Sequence, residues 1–79
     1  RGILKSAESV CYEIMREILR SARTYDSKQL LVLASQEVID RLLDEDSVSV
    51  ADIEYLTQKS IRFRVEHVYN REQYDIVPM

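Results

Sequence analysis

A chain of 79 residues with a net charge of −3 is long enough for one domain and no more, and it lacks the basic excess of a free-standing nucleic-acid binder. Apolar residues make up 46% and charged residues 32%, a globular balance that excludes disorder. The single glycine and single proline, Gly2 and Pro78, stand near the ends, so a phosphate-cradling glycine loop is excluded, and one cysteine, Cys11, allows neither an internal disulfide nor a cysteine-based zinc site.

Helix one is expected to start near Ser6, whose hydroxyl can cap free N–H groups, with Glu8 at the positive end of the helix dipole. Val10, Ile14, Ile18 and Ala22, flanked by Cys11, Met15 and Leu19, form an apolar stripe at helical spacing, with Glu13, Arg16, Glu17, Arg20 and Arg23 on the other side. Asp26 and Ser27 mark a turn. The unbroken apolar run from Leu30 to Ala34 reads as a strand buried on both faces. Ser35 can end that strand and cap helix two, whose inward face is Val38, Ile39, Leu42 and Leu43. The acidic run Asp44, Glu45, Asp46 is unfavourable at a helix C-terminus, so helix two is expected to stop there.

Ser49 followed by Asp52 reads as a capping box for helix three, with Ile53 and Leu56 turned inward and Lys59 at its end. Ile61, Phe63 and Val65 alternate with Arg62, Arg64 and Glu66, the period-two pattern of a strand with one wet face. After a polar connection, Tyr74 to Val77 form a last short strand, and Pro78 suits a sheet edge. The order is α-β-α-α-β-β. It predicts an α/β domain over residues 1–79, with a small mixed three-stranded sheet and helices against it. The first two strands should be parallel through a right-handed crossover, and the last two antiparallel. No repeat, linker or low-complexity segment interrupts it. No apolar run approaches the roughly 20 residues of a membrane span, and no secretory signal is visible, so a membrane partner is not expected. Arg1 in place of an initiator methionine points to a longer parent.

Each chemical candidate has a plain structural reading beside it. Cys11 would need a base to act as a nucleophile, and its place on the helix-one stripe makes it a core residue. His67 has no second imidazole with which to share a metal. Three consecutive acids, Asp44 to Asp46, point in different directions and make a poor magnesium cage. Arg16, Arg20, Arg62 and Arg64 are the candidate RNA-phosphate contacts if their elements adjoin, with Tyr12, Tyr69 or Tyr74 available for stacking. Glu13, Glu17 and Glu66 dilute that field. Tyr69, Tyr74 and Val77 are the self-association candidates, and the last strand has an edge that a second copy could pair with.

Two segments carry a resemblance to a known family: Glu8-Ser9-Val10-Cys11-Tyr12-Glu13-Ile14-Met15-Arg16-Glu17-Ile18, and Tyr69-Asn70-Arg71-Glu72-Gln73-Tyr74-Asp75-Ile76-Val77. Together they resemble the C-terminal end of the ribonuclease E/G family, and the resemblance covers essentially the whole chain. Arg1-Gly2 resemble the tail of the cysteine motif before this domain, so residues 1–5 are expected to be the end of a zinc-binding linker. The resemblance implies a bacterial, cytoplasmic parent: a magnesium-dependent endoribonuclease. It would cut single-stranded RNA, prefer a 5′-monophosphate end, mature the 16S ribosomal RNA 5′ end and take part in messenger RNA decay. The family's catalytic carboxylates and zinc-binding cysteines lie in earlier segments. No catalytic or metal residue is therefore carried over, and neither Mg2+ nor Zn2+ nor a small-molecule cofactor is expected in this piece. The implied fold is thioredoxin-like without a Cys-x-x-Cys pair, which also removes the thiol-oxidoreductase reading. The end at Met79 favours the branch of the family without a long disordered tail. The resemblance implies a non-catalytic domain supporting homo-oligomer assembly, with an accessory RNA-binding module as the alternative.

Overall fold

A computed structural model describes residues 5–79. The elements follow the expected order: α1 (Ala7–Thr24), β1 (Gln29–Ala34), α2 (Gln36–Leu43), α3 (Ser47–Thr57), β2 (Ser60–Val65) and β3 (Tyr74–Pro78). The sheet order is β2-β1-β3, with β1 parallel to β2 and antiparallel to β3. β2 and β3 therefore run in opposite directions, as expected, but each pairs with β1 and neither with the other.

Ser6 caps α1 by accepting the Ser9 N–H at 3.1 Å. Val10, Cys11, Ile14 and Ile18 are fully buried along the expected stripe. Ser35 caps α2 by accepting the Val38 N–H at 3.4 Å, and Val38, Ile39 and Leu42 face inward. Leu43, expected inward, is 58% exposed. It is the last residue of an eight-residue helix and lies beyond the buried stripe.

α3 departs from the expected start. It begins at Ser47 rather than after Ser49, with Asp46 at the N-cap and no side-chain cap bond. The Asp46 carboxylate turns instead toward Arg41, where Oδ2 lies 3.6 Å from Nε. Val50 and Ile53 are the buried pair of this helix, while Leu56, expected inward, is 73% exposed. Gln58 adopts a left-handed conformation (φ 58°) that ends α3. The Lys59 ammonium then donates to the Tyr25 carbonyl at 3.0 Å and to that of Ser27, tying the end of α3 to the entry of β1.

Burial alternates along β1. Leu30, Val32 and Ala34 are fully buried, whereas Leu31 and Leu33 are half-buried. The expectation that β1 is buried on both faces is therefore corrected. The strand register puts Ile61, Phe63, Val65, Tyr74 and Ile76 on the side of Leu30, Val32 and Ala34. All of these belong to or pack against the core formed with the three helices. The helices pack on one another and on that single side. The architecture is a two-layer α/β unit whose second sheet face no described element covers.

Candidate functional site

The chemical candidates fall into place from their neighbours. Cys11 is fully buried, and its Sγ lies 3.5 Å from the Val38 carbonyl oxygen, to which the thiol donates. Burial above all, and then the nearby Asp46 carboxylate, push the thiol up to about 12. It therefore stays protonated at neutral pH, opposite to what a nucleophile needs. His67 is exposed on the connection after β2. Of the acidic run, Glu45 and Asp46 are drawn to Arg41, and Asp44 makes no ion pair with it. Glu45 accepts from the Arg41 guanidinium at 3.1 Å, and Glu8 lies 4.0 Å away on its other side. Arg41 Nε and Asp46 Oδ2 are both shut off from solvent and lack a hydrogen bond. At 3.6 Å they face each other as an ion pair slightly too long for one. Among the described residues, no three His, Cys, Asp or Glu side chains are grouped to hold a metal ion.

The four arginines form two pairs. Arg16 and Arg20 stand one turn apart on α1 and, with Arg23, Glu13, Glu17, Leu19 and Tyr74, line an open depression of about 510 Å³. Glu17 sits 3.8 Å from Arg20 and offsets part of its charge. The Tyr74 phenol is half-buried here, and its pKa is raised by that burial first and by Glu13 and Glu17 next. Arg62 and Arg64 project from β2 on the opposite side of the sheet, exposed, alternating with core-facing Ile61, Phe63 and Val65. β1 separates β2 from β3, and the helices pack on the other face, so the two arginine pairs do not share a surface.

The self-association candidates divide as well. Tyr74 faces the helices, beside α1. Val77 faces away from them, 39% exposed, with Asp75 two positions before it on the same face. The Tyr69 hydroxyl donates to Asp75 Oδ2 at 2.6 Å, which raises the phenol's pKa and joins Tyr69 to the rim of that face. The open face therefore has an apolar middle (Leu31, Leu33 and Val77) with Arg62 and Arg64 on one side and Asp75 on the other. Leu31 and Leu33 were missed as surface residues because an unbroken apolar run carries no sign of which face is uncovered. At one end of the sheet, Arg71 ties the β2–β3 connection to α2 through Glu37 at 3.1 Å and to the Lys5 carbonyl at 3.3 Å. Lys5 in turn binds Glu72 through its N–H at 3.0 Å and Glu13 through its ammonium at 2.6 Å. Of the expected linker tail at residues 1–5, residues 1–4 lie outside the described residues.

These features define a small α/β unit with one helix-covered and one open sheet face, a buried unreactive thiol and two separate arginine pairs. No family model matches the chain. It is similar along its whole length to ribonuclease G: 47% identical over 79 residues to the protein of Escherichia coli (strain K12), and equally so to that of Salmonella typhimurium (strain SL1344). It is 41% identical over 80 aligned residues to ribonuclease G of Haemophilus influenzae (strain ATCC 51907 / DSM 11121 / KW20 / Rd). The chain spans 16% of the length of each of these relatives. It is thus homologous throughout to a segment of ribonuclease G.

Proposed function

We propose that the chain is a non-catalytic, C-terminal assembly domain of a ribonuclease G-like endoribonuclease. The carrying observation is the full-length similarity to ribonuclease G at 47% identity, over 16% of that protein's length. The parent would cleave single-stranded RNA in the bacterial cytoplasm with a magnesium ion held by residues outside this segment, and a zinc site would precede it. Maturation of the 16S ribosomal RNA 5′ end and messenger RNA decay are the processes proposed for that parent. Within the segment, the open sheet face supports an assembly role, because an apolar strip bordered by charges is the composition of a contact surface. The test is the mass of the parent enzyme in solution with and without this segment. Assembly predicts a smaller oligomer after deletion, and an unchanged mass refutes it.

A second reading, an accessory RNA contact, is favoured by the depression beside Arg16, Arg20 and Tyr74. Fluorescence anisotropy of a labelled single-stranded RNA titrated with this chain separates the two. Saturable binding that weakens steeply with salt supports phosphate contacts; no binding leaves RNA to the rest of the parent.

A further inference from the structure

The turn from Asn70 to Gln73 is braced from inside. The Gln73 N–H donates to the Asn70 carbonyl at 3.1 Å, the Glu72 N–H to Asn70 Oδ1 at 2.8 Å, and the Asn70 N–H to Gln73 Oε1 at 2.7 Å. The side chains of the two end residues thus hold the turn closed. Its middle residues, Arg71 and Glu72, both reach Lys5. Glu72 Oε2 accepts the Lys5 N–H at 3.0 Å, and Arg71 Nη1 donates to the Lys5 carbonyl at 3.3 Å. Arg71 Nε donates at the same time to Glu37 Oε1 at 3.1 Å, in the first turn of α2. The Lys5 ammonium pairs with Glu13 of α1 at 2.6 Å. Lys5 is exposed and belongs to no helix or strand. Water could satisfy its backbone groups, so the fold does not require these partners.

We propose that this turn is a clasp on the incoming polypeptide, in which Arg71 and Glu72 fix the direction of the chain at Lys5, so that the parent enzyme joins this domain through a stiff joint. The proposal rests on the reading above that the chain is the C-terminal part of a longer parent. Ser6 is already held by its cap on α1, with extended backbone (φ −74°, ψ 161°). The clasp extends that hold to the residue before the cap. A domain that assembles an enzyme sets the orientation of the other parts only through a joint that transmits direction, and a flexible tether would set their number alone. Each bond of the clasp is exposed and weak by itself. Both backbone bonds are charge-assisted and converge on one residue, and Arg71 anchors its end to α2. The turn grips the backbone of Lys5, so the grip does not depend on the lysine side chain. Arg71 and Glu72 are positioning residues.

Backbone 15N relaxation of the 79-residue chain tests this. The Lys5 N–H should have an order parameter near the value of about 0.85 found in rigid backbone, and Arg71→Ala and Glu72→Ala should each lower it below about 0.6. Exchange of that N–H with water should speed up about threefold or more in both variants. Lys5→Ala, which removes only the bond to Glu13, should keep most of the order. Unchanged order parameters in β1 show that each variant is folded. A Lys5 N–H that is already flexible in the native chain overturns the clasp, and so does one whose order survives both Arg71→Ala and Glu72→Ala. In the parent enzyme, endoproteinase Lys-C should cut after Lys5 about fivefold faster when both substitutions are combined, and equal rates overturn the stiff joint. The assembly reading is decided separately, by the mass of the parent enzyme after deletion of the segment.

Discussion

Two adjacent leucines give the sharpest test of the one-sided core. Leu30 is fully buried, between Ile61 and Pro78 on its neighbouring strands, whereas Leu31 is half-buried between Arg62 and Val77 on the open face. Leu30→Ala removes three carbons from a packed core and leaves a cavity, which costs about 3–5 kcal/mol. Leu31→Ala loses only part of a transfer free energy of about 1.5–3 kcal/mol and leaves no enclosed void, so about 1 kcal/mol is expected. A chain of 79 residues has a total stability of about 4–12 kcal/mol. Leu30→Ala should therefore bring it near the edge of folding and lower Tm by about 15–30 °C, against about 4–8 °C for Leu31→Ala. Urea unfolding followed by circular dichroism reads both, at about 10 μM so that any self-association is dilute. Equal losses for the two variants at unchanged m would refute the reasoning, because they would mean that the second face is packed as tightly as the first.

Three further outcomes follow from the same structure. Cys11, with its thiol near 12 instead of 9.0, should react with a thiol reagent at pH 8 about a thousandfold more slowly in the folded chain than in urea, from the thiolate fraction alone. The sign of the linked pH effect is fixed, because a raised thiol pKa stabilises the fold fully below pH 9.0 and that contribution fades as pH rises toward about 12. Cys11→Ala, monitored by thermal melts, should remove that part of the alkaline loss. Asp46→Ala should cost about 1–2 kcal/mol by leaving the partly buried Arg41 guanidinium without its Asp46 partner, and adding Arg41→Met should recover most of it in a double-mutant cycle. Ser35→Ala should cost about 1 kcal/mol by freeing the Val38 N–H, measured as a shift in the urea midpoint at constant m.

What could be read from the sequence was what depends on near neighbours. Ser6 and Ser35 announce helix starts because a cap acts across three residues, and both accept the expected N–H. Arg16 with Arg20 and Arg62 with Arg64 are legible as pairs, since helix and strand periods fix them locally. Whether the two pairs meet depends on strand order, and β1 between β2 and β3 is a long-range outcome that no local spacing states. The start of α3 was misplaced for a similar reason. Asp46 could have capped the helix with its side chain, but its carboxylate is engaged by Arg41 from the preceding helix. The run from Leu30 to Ala34 is ambiguous in principle. A strand buried on both sides and a strand with an apolar outer face awaiting a partner have the same composition.

That ambiguity bears on how this domain would meet another copy. The last strand offers an edge, but the edge is a poor template. Met79 donates its N–H to the Gln29 carbonyl at 2.9 Å, so Val77 and Asp75, at the same phase of the pleat, also direct their backbone groups to β1. Tyr74, Ile76 and Pro78 are then the positions directed outward, and proline has no N–H to give. An added strand would find at most two donors along β3. At the other edge, the Ile61 N–H is already taken by the Glu54 carboxylate at 2.8 Å. Both edges are blunted in ways that oppose open-ended strand addition. The sheet face keeps Leu31 and Leu33 half-buried and Val77 exposed, with Arg62 and Arg64 on one side and Asp75 on the other. Strand addition at an edge can continue without limit, and the protections on this sheet lie at its edges.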